Sequence, residues 1–235
     1  ALNRAMGKAL RRYQMISDGD RIVVGVSGGV DSLSLMWMLS ERRARIPNDY
    51  DQFAVYIDPG FEGSFAEAHE AYCEQLGFAL RVEYTDYGLQ GHSLTNRENP
   101  CFLCSRLRRR RLFEIAAELC CHKLALGHNK DDVIETLFLY ICFACEISTM
   151  LPSQTLFQHW FTLFRPLAFA YEDLISRFAK DQRFPIFENP CPTAKSSKRQ
   201  EIKSLLQQLY RSNNKIKGNI FRSMSHVKLE YLLKS

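Results

Sequence analysis

The chain has 235 residues, 46% hydrophobic and 24% charged, with a formal net charge of +5. This is a globular composition that suits one large domain, or one domain with a small appendage. The most apolar run, Thr136–Cys145, is about half the roughly 20 residues of a membrane span, so we predict a buried helix there and no membrane partner. No secretory signal is visible, and eight cysteines without one favour a reducing compartment, here the cytoplasm.

Strand and helix patterns alternate in chain order. Strands are predicted at Arg21–Val26, Phe53–Ile57, Ala79–Tyr84 and Lys123–Leu126. Helices are predicted at Leu33–Leu39, Ser64–Leu76, Cys101–Leu119 and Asp131–Cys145, with a long loop over Thr85–Pro100. This alternation predicts an α/β fold: a doubly wound, mainly parallel sheet with helices on both faces.

The pattern weakens after Pro152. Leu163–Pro166 is predicted to be a last strand and Tyr171–Ala179 a helix, and the tail beyond Lys195 reads as mostly helical. We therefore divide the chain into an N-terminal helix (1–20), the α/β domain (21–190) and a helical C-terminal extension packed on the same domain (191–235).

A double glycine closes the first predicted strand, in Ser27-Gly28-Gly29. Ligands of open parallel sheets sit beyond the carboxyl ends of the strands, where glycines and a following helix offer N–H groups to an anion. The hydroxyls of Ser27 and Ser32 can donate to phosphate oxygens, whereas the Asp31 carboxylate suits a turn cap or a metal ion. Neither a Walker loop nor a dinucleotide fingerprint matches, and a plain Gly-Gly turn is the alternative.

The hexad SGGVDS, residues 27–32, resembles the pyrophosphate-binding loop of the N-type ATP pyrophosphatases, the PP-loop family. Members of that family use ATP to adenylate a carbonyl oxygen, so the resemblance implies ATP and Mg²⁺. Asp58 ends the second predicted strand, near which the family binds adenine and ribose; a turn residue before Pro59 is the alternative. The expected nucleotide-binding residues are Val26, Ser27, Gly28, Gly29, Asp31, Ser32, Ile57, Asp58, Gly127 and Asp132.

Three of the eight cysteines are candidate metal ligands. Cys101 and Cys104 form a C-x-x-C pair at the start of a predicted helix, and Cys191 lies between two prolines. The remaining cysteines are expected in the core, because free Cys is among the most buried residue types; they are Cys73, Cys120, Cys121, Cys142 and Cys145.

Residues 100–119 and 123–138, together with 165–192 and 198–209, resemble the tRNA 2-thiolation enzymes of the PP-loop family, in particular the tRNA 2-thiocytidine synthetase group. The resemblance implies that Cys101, Cys104 and Cys191 hold a [4Fe-4S] cluster with one iron free of protein ligands. A structural zinc site with His92 or His128 as fourth ligand is the alternative. The chain departs from the group at Val30, where thiolation members usually carry Lys, and in having a single downstream cysteine.

The segment Gly127–Asp132, read GHNKDD, follows the fourth strand. The helix dipole alone explains its acidic residues, while the resemblance favours Asp132 as a catalytic carboxylate and Gly127 as a close approach to ATP. An arginine run follows the cysteine pair and is either a solvated face or an RNA phosphate contact. The expected RNA-binding residues are Arg106, Arg108, Arg109, Arg110 and Arg111.

These features together predict an ATP-dependent tRNA sulfurtransferase that replaces the C2 oxygen of a pyrimidine, with cytidine as the first choice. The catalytic set is Asp132 with the three cysteines. Expected partners are tRNA and a sulfur donor, either a cysteine desulfurase or free sulfide, and a homodimer is left open. The alternatives are a lysidine-synthetase-like ligase with zinc or no metal, a paralogue acting on a small molecule, and a non-enzymatic nucleotide or RNA binder.

Overall fold

Six strands form one sheet in the computed structural model, which describes residues 1–46, 49–194 and 196–233. In chain order they are β1 (Asp20–Gly25), β2 (Tyr50–Asp58), β3 (Leu80–Tyr84), β4 (Lys123–Leu126), β5 (Ser153–Leu156) and β6 (Phe161–Phe164). Across the sheet the order is β3-β2-β1-β4-β6-β5, and β5 alone of these runs antiparallel to its neighbour. The predicted mainly parallel sheet is confirmed.

Helices connect and flank these strands. They are α1 (Leu2–Arg12), α2 (Val30–Arg43), α3 (Ala66–Gln75), α4 (Tyr87–Gly91), α5 (Pro100–Glu118), α6 (Lys130–Phe143), α7 (Glu172–Asp181), α8 (Lys198–Ser212) and α9 (Ile216–Ser223), with a short 3-10 helix at Leu229–Tyr231. Local sequence explains where three of them begin. Asn99 caps α5 ahead of Pro100, Asn129 caps α6, and Ser197 caps α8.

Helices cover both faces of the sheet, as the run of apolar residues in β1 requires. Ile22 and Val24 belong to the larger core, which also contains buried residues of α1, α2, α3 and α7. Val23, between them, points to the other face, where it packs with Leu112 and Ile115 of α5. Because successive strand residues face opposite sides, a strand buried on both sides is continuously hydrophobic.

The chain reverses its direction across the sheet between β1 and β4, which are parallel neighbours. From β1 the chain continues through α2 to β2 on one side, and β4 lies on the other side. The loops after β1 and β4 therefore diverge from adjacent strand ends and leave a crevice at the carboxyl edge of the sheet. Residues 26–29 and 127–129 lie at this edge.

Three elements differ from the sequence prediction. The loop predicted over Thr85–Pro100 contains the short helix α4. The last parallel strand begins at Phe161 rather than Leu163, and β5 was missed because none of its four residues is fully buried, so it carries no apolar run.

The prediction that Thr136–Cys145 is buried is wrong in its second half. Residues Val133–Leu137 are buried, but Ile141 and Phe143 are 46% and 52% exposed. Cys142 and Cys145 are exposed, and so is Cys120, which has a left-handed backbone (φ 51°) after α5. The core interpretation of these three cysteines is therefore wrong, whereas Cys73 and Cys121 are buried as predicted.

Candidate nucleotide and cysteine site

The loop after β1 leaves open space at one of its two glycines. Gly28 has φ 82°, and a Cβ there would lie 2.4 Å from the Phe65 ring, so only glycine fits. Gly29, the N-cap of α2, has an ordinary φ of −73°, and its nearest neighbour for an added Cβ is Ser27 Oγ at 3.7 Å. The loop therefore presents its second glycine, and the N-terminal end of α2, to a ligand.

Hydrogen bonds within the loop occupy Ser32. The Ser27 backbone N–H donates to Ser32 Oγ at 3.0 Å, and the Ser32 hydroxyl donates to the Gly29 carbonyl at 2.8 Å. The single proton of Ser32 is therefore used to hold the loop in shape. The Ser27 hydroxyl donates to Ser32 Oγ at the longer distance of 3.3 Å, a contact that it can exchange for one with a phosphate oxygen.

The loop after β4 lies directly against the loop after β1. A Cβ on Gly127 would lie 3.0 Å from the backbone N and Cα of Ser32, so glycine allows the two loops to approach this closely. The amide of Asn129 donates to Asp31 Oδ2 at 3.2 Å. Asn129 also forms a capping box with Asp132, whose Oδ2 accepts the Asn129 backbone N–H at 2.8 Å.

Between these loops and α5 lies a cleft of about 290 Å³. Of the predicted nucleotide-binding residues it is lined by Val26, Ser27, Asp31, Ser32, Ile57, Gly127 and Asp132. Other lining residues were not expected to bind the nucleotide, or were expected to have another role. They are Gly25, Val55, Ser105, Arg108, Arg109, Leu112, Leu126 and His128. Gly28, Gly29 and Asp58 do not line it.

Asp58 is 2% exposed and belongs to a turn. Its Oδ1 accepts the backbone N–H of Gly60 at 2.7 Å, and its Oδ2 accepts the Ser64 hydroxyl. These are the contacts of the turn residue that the sequence offered as the alternative to a nucleotide ligand.

Two carboxyl groups at the cleft are poorly solvated. Burial, with the nearby Asp132 and Glu172 carboxylates, raises the pKa of Asp31 to about 7, and Asp31 Oδ1 is buried without a hydrogen-bond partner in the described part of the chain. Burial also raises the pKa of Asp132. An unpartnered carboxylate oxygen beside a phosphate-type loop fits Mg²⁺, which prefers carboxylate and phosphate oxygens.

His128 is held neutral in the cleft. Burial, together with the guanidinium groups of Arg165, Arg199 and Arg109, lowers its pKa to about 3. Its Nδ1 is buried without a partner among the described residues. A neutral imidazole at this point can exchange hydrogen bonds with a bound nucleotide or base without introducing charge.

The arginine run divides into two groups. Three arginines form ion pairs on the surface of α5. Arg106 pairs with Glu98, and Arg110 pairs with Glu114. Arg111 pairs with Glu83, Glu114 and Glu118. Arg108 and Arg109 instead line the cleft and have no carboxylate partner within the described residues, and the Arg108 Nε is buried without a partner. Helical spacing indicates that Arg108 faces the site, because Arg108 follows Cys104 by four residues and the two lie on the same face of α5.

The three predicted cysteine ligands come together although Cys191 is far from the other two in sequence. The Thr193 hydroxyl lies 3.6 Å from Cys101 Sγ and 3.4 Å from Cys191 Sγ. Burial raises the pKa of the Cys104 thiol; Arg108 lowers it, and the neighbouring Cys191 and Cys101 thiols raise it. All three are free cysteines.

The chemistry of this donor set fits an iron–sulfur cluster with three protein ligands. Among the described residues no three His, Cys, Asp or Glu side chains are already arranged to hold a metal ion, and the Thr193 hydroxyl lies between the Cys101 and Cys191 thiols. A fourth ligand for zinc is not supplied by either histidine. His92 uses both ring nitrogens, at 2.8 Å from the Gly88 carbonyl and 3.1 Å from Thr193 Oγ1, and His128 lies in the cleft.

The fold and this loop define a PP-loop protein. The family model described as a PP-loop domain matches residues 2–209, and the chain belongs to that family. Within the described residues no helix is long and apolar enough to cross a membrane.

Curated relatives narrow the assignment. The chain is 38% identical over 234 residues to the tRNA-cytidine(32) 2-sulfurtransferase of Anaeromyxobacter sp. (strain Fw109-5), covering 99% of this chain and 77% of the relative. It is 37% identical to the enzyme of the same name from Geotalea daltonii, covering 99% and 93%. Among solved structures it resembles the U34-tRNA thiolase NcsA from Methanococcus maripaludis with its [4Fe-4S] cluster, at 25% identity and TM-score 0.79, covering 99% and 78%. The family resemblance read from the sequence is confirmed.

Proposed function

We propose that this protein is an ATP-dependent tRNA sulfurtransferase that replaces the C2 oxygen of a cytidine with sulfur. One observation carries the proposal: helix α5 brings two of the three clustered thiols, on Cys101 and Cys104, and two cleft arginines, Arg108 and Arg109, to one site. The full-length similarity to enzymes named tRNA-cytidine(32) 2-sulfurtransferase supports cytidine as the substrate.

ATP binds in the cleft at the carboxyl edge of β1 and β4. The N-terminal end of α2 and the Ser27 hydroxyl bind its phosphates, and Arg108 and Arg109 neutralise their charge from the opposite wall. Asp31 holds Mg²⁺ through its unpartnered Oδ1. Val30, at the position where thiolation members usually carry Lys, offers no charge, so these arginines replace that contact.

The reaction has two displacements. The C2 oxygen of the base attacks the α-phosphorus of ATP, and the bond to pyrophosphate breaks. A sulfur nucleophile then attacks C2, and AMP leaves with the former C2 oxygen. The first step is needed because a urea-type oxygen is otherwise a poor leaving group.

The residues around the cleft serve these steps. Asp132 accepts the proton released when sulfur adds, and burial raises its pKa, which makes it a stronger base than an exposed carboxylate. Neutral His128 positions the base. Cys101, Cys104 and Cys191 hold a [4Fe-4S] cluster, which when bound supplies an iron that can carry sulfide. The thiols must be deprotonated to bind it, and Arg108 favours the thiolate of Cys104.

The test uses the anaerobically reconstituted protein with unmodified tRNA, ATP, Mg²⁺ and sulfide. We expect pyrophosphate release that depends on tRNA, and 2-thiocytidine in the nuclease digest by mass spectrometry. Asp132→Asn should abolish both. The proposal fails if the reconstituted protein releases pyrophosphate with a small-molecule acceptor and leaves tRNA unchanged.

Three finer points are part of the proposal. Free sulfide or a cysteine desulfurase supplies the sulfur, which assays with each donor distinguish. The enzyme works in the cytoplasm, where tRNA is modified, and cell fractionation checks this. The chain forms a homodimer through the exposed apolar end of α6, where Ile141 and Phe143 lie; sedimentation of Ile141→Ser against the unaltered protein tests it.

A further inference from the structure

Arg199 connects α8, the helix that follows Cys191, to α6, the helix that carries Asp132. It is in the first turn of α8, eight residues after Cys191, and its side chain crosses to α6. Its Nη1 donates to Asp132 Oδ1 at 3.1 Å and to Glu135 Oε2 at 3.2 Å, and its Nη2 donates to Thr136 Oγ1 at 3.3 Å. One guanidinium thus binds three side chains that share a face of α6.

The acceptors are not ordinary surface groups. The side chain of Glu135 is 7% exposed and that of Asp132 is 24% exposed, and they lie one turn apart. Burial raises the pKa of both carboxyl groups, the Asp132 carboxylate raises the pKa of Glu135 further, and Arg199 opposes these effects at both groups. A planar guanidinium can serve such a pair with several N–H groups at once, which a lysine ammonium cannot do in the same geometry.

The position of Arg199 matters because of what α8 adjoins. The Cys191 turn is held at its other side by Thr193, whose hydroxyl contacts His92. A second cleft, of about 230 Å³, is lined by Asp132, Glu135 and Arg199 and also by Asp31, which the first cleft shares. Arg199 therefore lines a cleft that shares Asp31 and Asp132 with the nucleotide cleft, and it lies on the helix that follows Cys191 in the chain.

We propose, on the basis of the function above, that Arg199 is a positioning residue that ties the Cys191 turn to the carboxylate face of α6. It orients Asp132 at the nucleotide cleft and fixes the start of α8, so that the third thiol stays beside Cys101 and Cys104. The orientation of Asp132 and the placement of the third thiol then depend on one side chain that binds neither ATP nor iron itself.

The experiment compares Arg199→Met and Arg199→Lys with Lys198→Met. Lys198 is the matched control because it is the adjacent residue and its ammonium pairs with Glu201 on the exposed side of α8. The first readout is the rate at which iodoacetamide alkylates Cys191 in cluster-free protein, measured by peptide mass spectrometry. We expect labelling about fivefold faster in Arg199→Met, an intermediate rate in Arg199→Lys and an unchanged rate in the control.

The second readout is tRNA-dependent pyrophosphate release by the reconstituted protein. We expect kcat to fall about tenfold in Arg199→Met with little change in the KM for ATP, and Arg199→Lys to recover part of the loss. Cys191 labelling at the rate of the unaltered protein in a folded Arg199→Met variant overturns the proposal. If that variant does not fold, Arg199→Lys decides, and wild-type labelling there overturns it equally.

The two proposals fail separately. Absence of tRNA-dependent pyrophosphate release from the unaltered protein refutes the sulfurtransferase function. Cys191 labelling needs neither tRNA nor turnover, so it still decides the role of Arg199.

Discussion

The Thr193 hydroxyl lies 3.1 Å from Nε2 of His92 and joins the Cys191 turn to α4. The other ring nitrogen, Nδ1, lies 2.8 Å from the Gly88 carbonyl, to which it can only donate, because a carbonyl oxygen is an acceptor. Residues 101 positions apart thereby fix where the third thiol sits.

The first prediction concerns iron. Alanine at Cys101, Cys104 or Cys191 should each reduce the iron bound after anaerobic reconstitution, because a cluster with two protein ligands is poorly held. Visible absorbance and iron analysis measure it. Cys142→Ala and Cys145→Ala are the controls, since both are exposed and the Thr193 contacts do not involve them. Full iron in Cys191→Ala, or loss in Cys142→Ala, would contradict the assignment.

The second prediction separates two glycines. Gly127→Ala should destabilise the protein by about 1–3 kcal/mol, because the added Cβ meets the Ser32 backbone at 3.0 Å in a packed contact. Gly29→Val should fold normally and lose ATP binding, because its side chain enters open space before the helix that receives the phosphates. Thermal unfolding and calorimetry with ATP give the two quantities. If Gly127→Ala and Gly29→Val changed stability equally and ATP affinity equally, the separate structural and ligand-binding roles of the two glycines would be wrong.

The third prediction separates two arginines of one run. Arg108→Met should weaken ATP binding about 10- to 100-fold, the value of a charge-assisted hydrogen bond to phosphate. Arg110→Met should leave it unchanged, because its side chain is 78% exposed and pairs with Glu114. Calorimetry with ATP is the measurement.

The same two variants test the RNA contact. A salt series of tRNA binding should show a slope lower by about one unit for a residue that binds an RNA phosphate. A lower salt slope in Arg110→Met alone would place RNA on the outer face of α5. An unchanged slope in both variants would mean that neither arginine binds an RNA phosphate.

The fourth prediction concerns pH. The pKa of His128 is lowered to about 3 from 6.5, so the unfolded chain binds more protons and the stability from this group is lost as pH falls below 6.5. At pH 5 the loss is about 2 kcal/mol, from 1.5 pH units at 1.36 kcal/mol each. Asp31 and Glu135, with raised pKa values, act in the opposite sense, so His128→Gln must be compared with the unaltered protein.

Urea unfolding at pH 5 and pH 7 measures this difference. His128→Gln should lose less stability on acidification than the unaltered protein, whereas His226→Gln, at an exposed position, should behave as the unaltered protein does. An identical loss in all three would mean that His128 is not held neutral by burial.

Local sequence was sufficient for the parallel sheet and the loop after β1. Strand runs such as Arg21–Val26 are apolar on both faces, and the SGGVDS hexad marks a strand end, so both signals lie within a few neighbouring residues. The antiparallel strand β5 gave no such signal, because its stability comes from pairing with β6 rather than from its own apolar residues.

Long-range contacts account for what the sequence could not supply. The ion pairs that occupy Arg106, Arg110 and Arg111 include partners on β3 and before α5, which no periodicity reveals. Cys142 and Cys145 looked like core residues because apolar composition does not show whether another element covers a helix end. Arg199 joins the site only through the meeting of α6 with α8.

Helix α5 carries a candidate cluster ligand, Cys104, and a cleft arginine, Arg108, at a fixed spacing. Cys104 and Arg108 are four residues apart, so the regular rise of the helix places them about 6 Å apart along its axis. One inserted residue between them would turn the arginine about 100° away from the cleft while leaving the cysteine pair intact. An insertion in the loop before α5 would therefore keep this spacing, whereas an insertion or deletion within the four-residue interval would separate the thiols from the nucleotide.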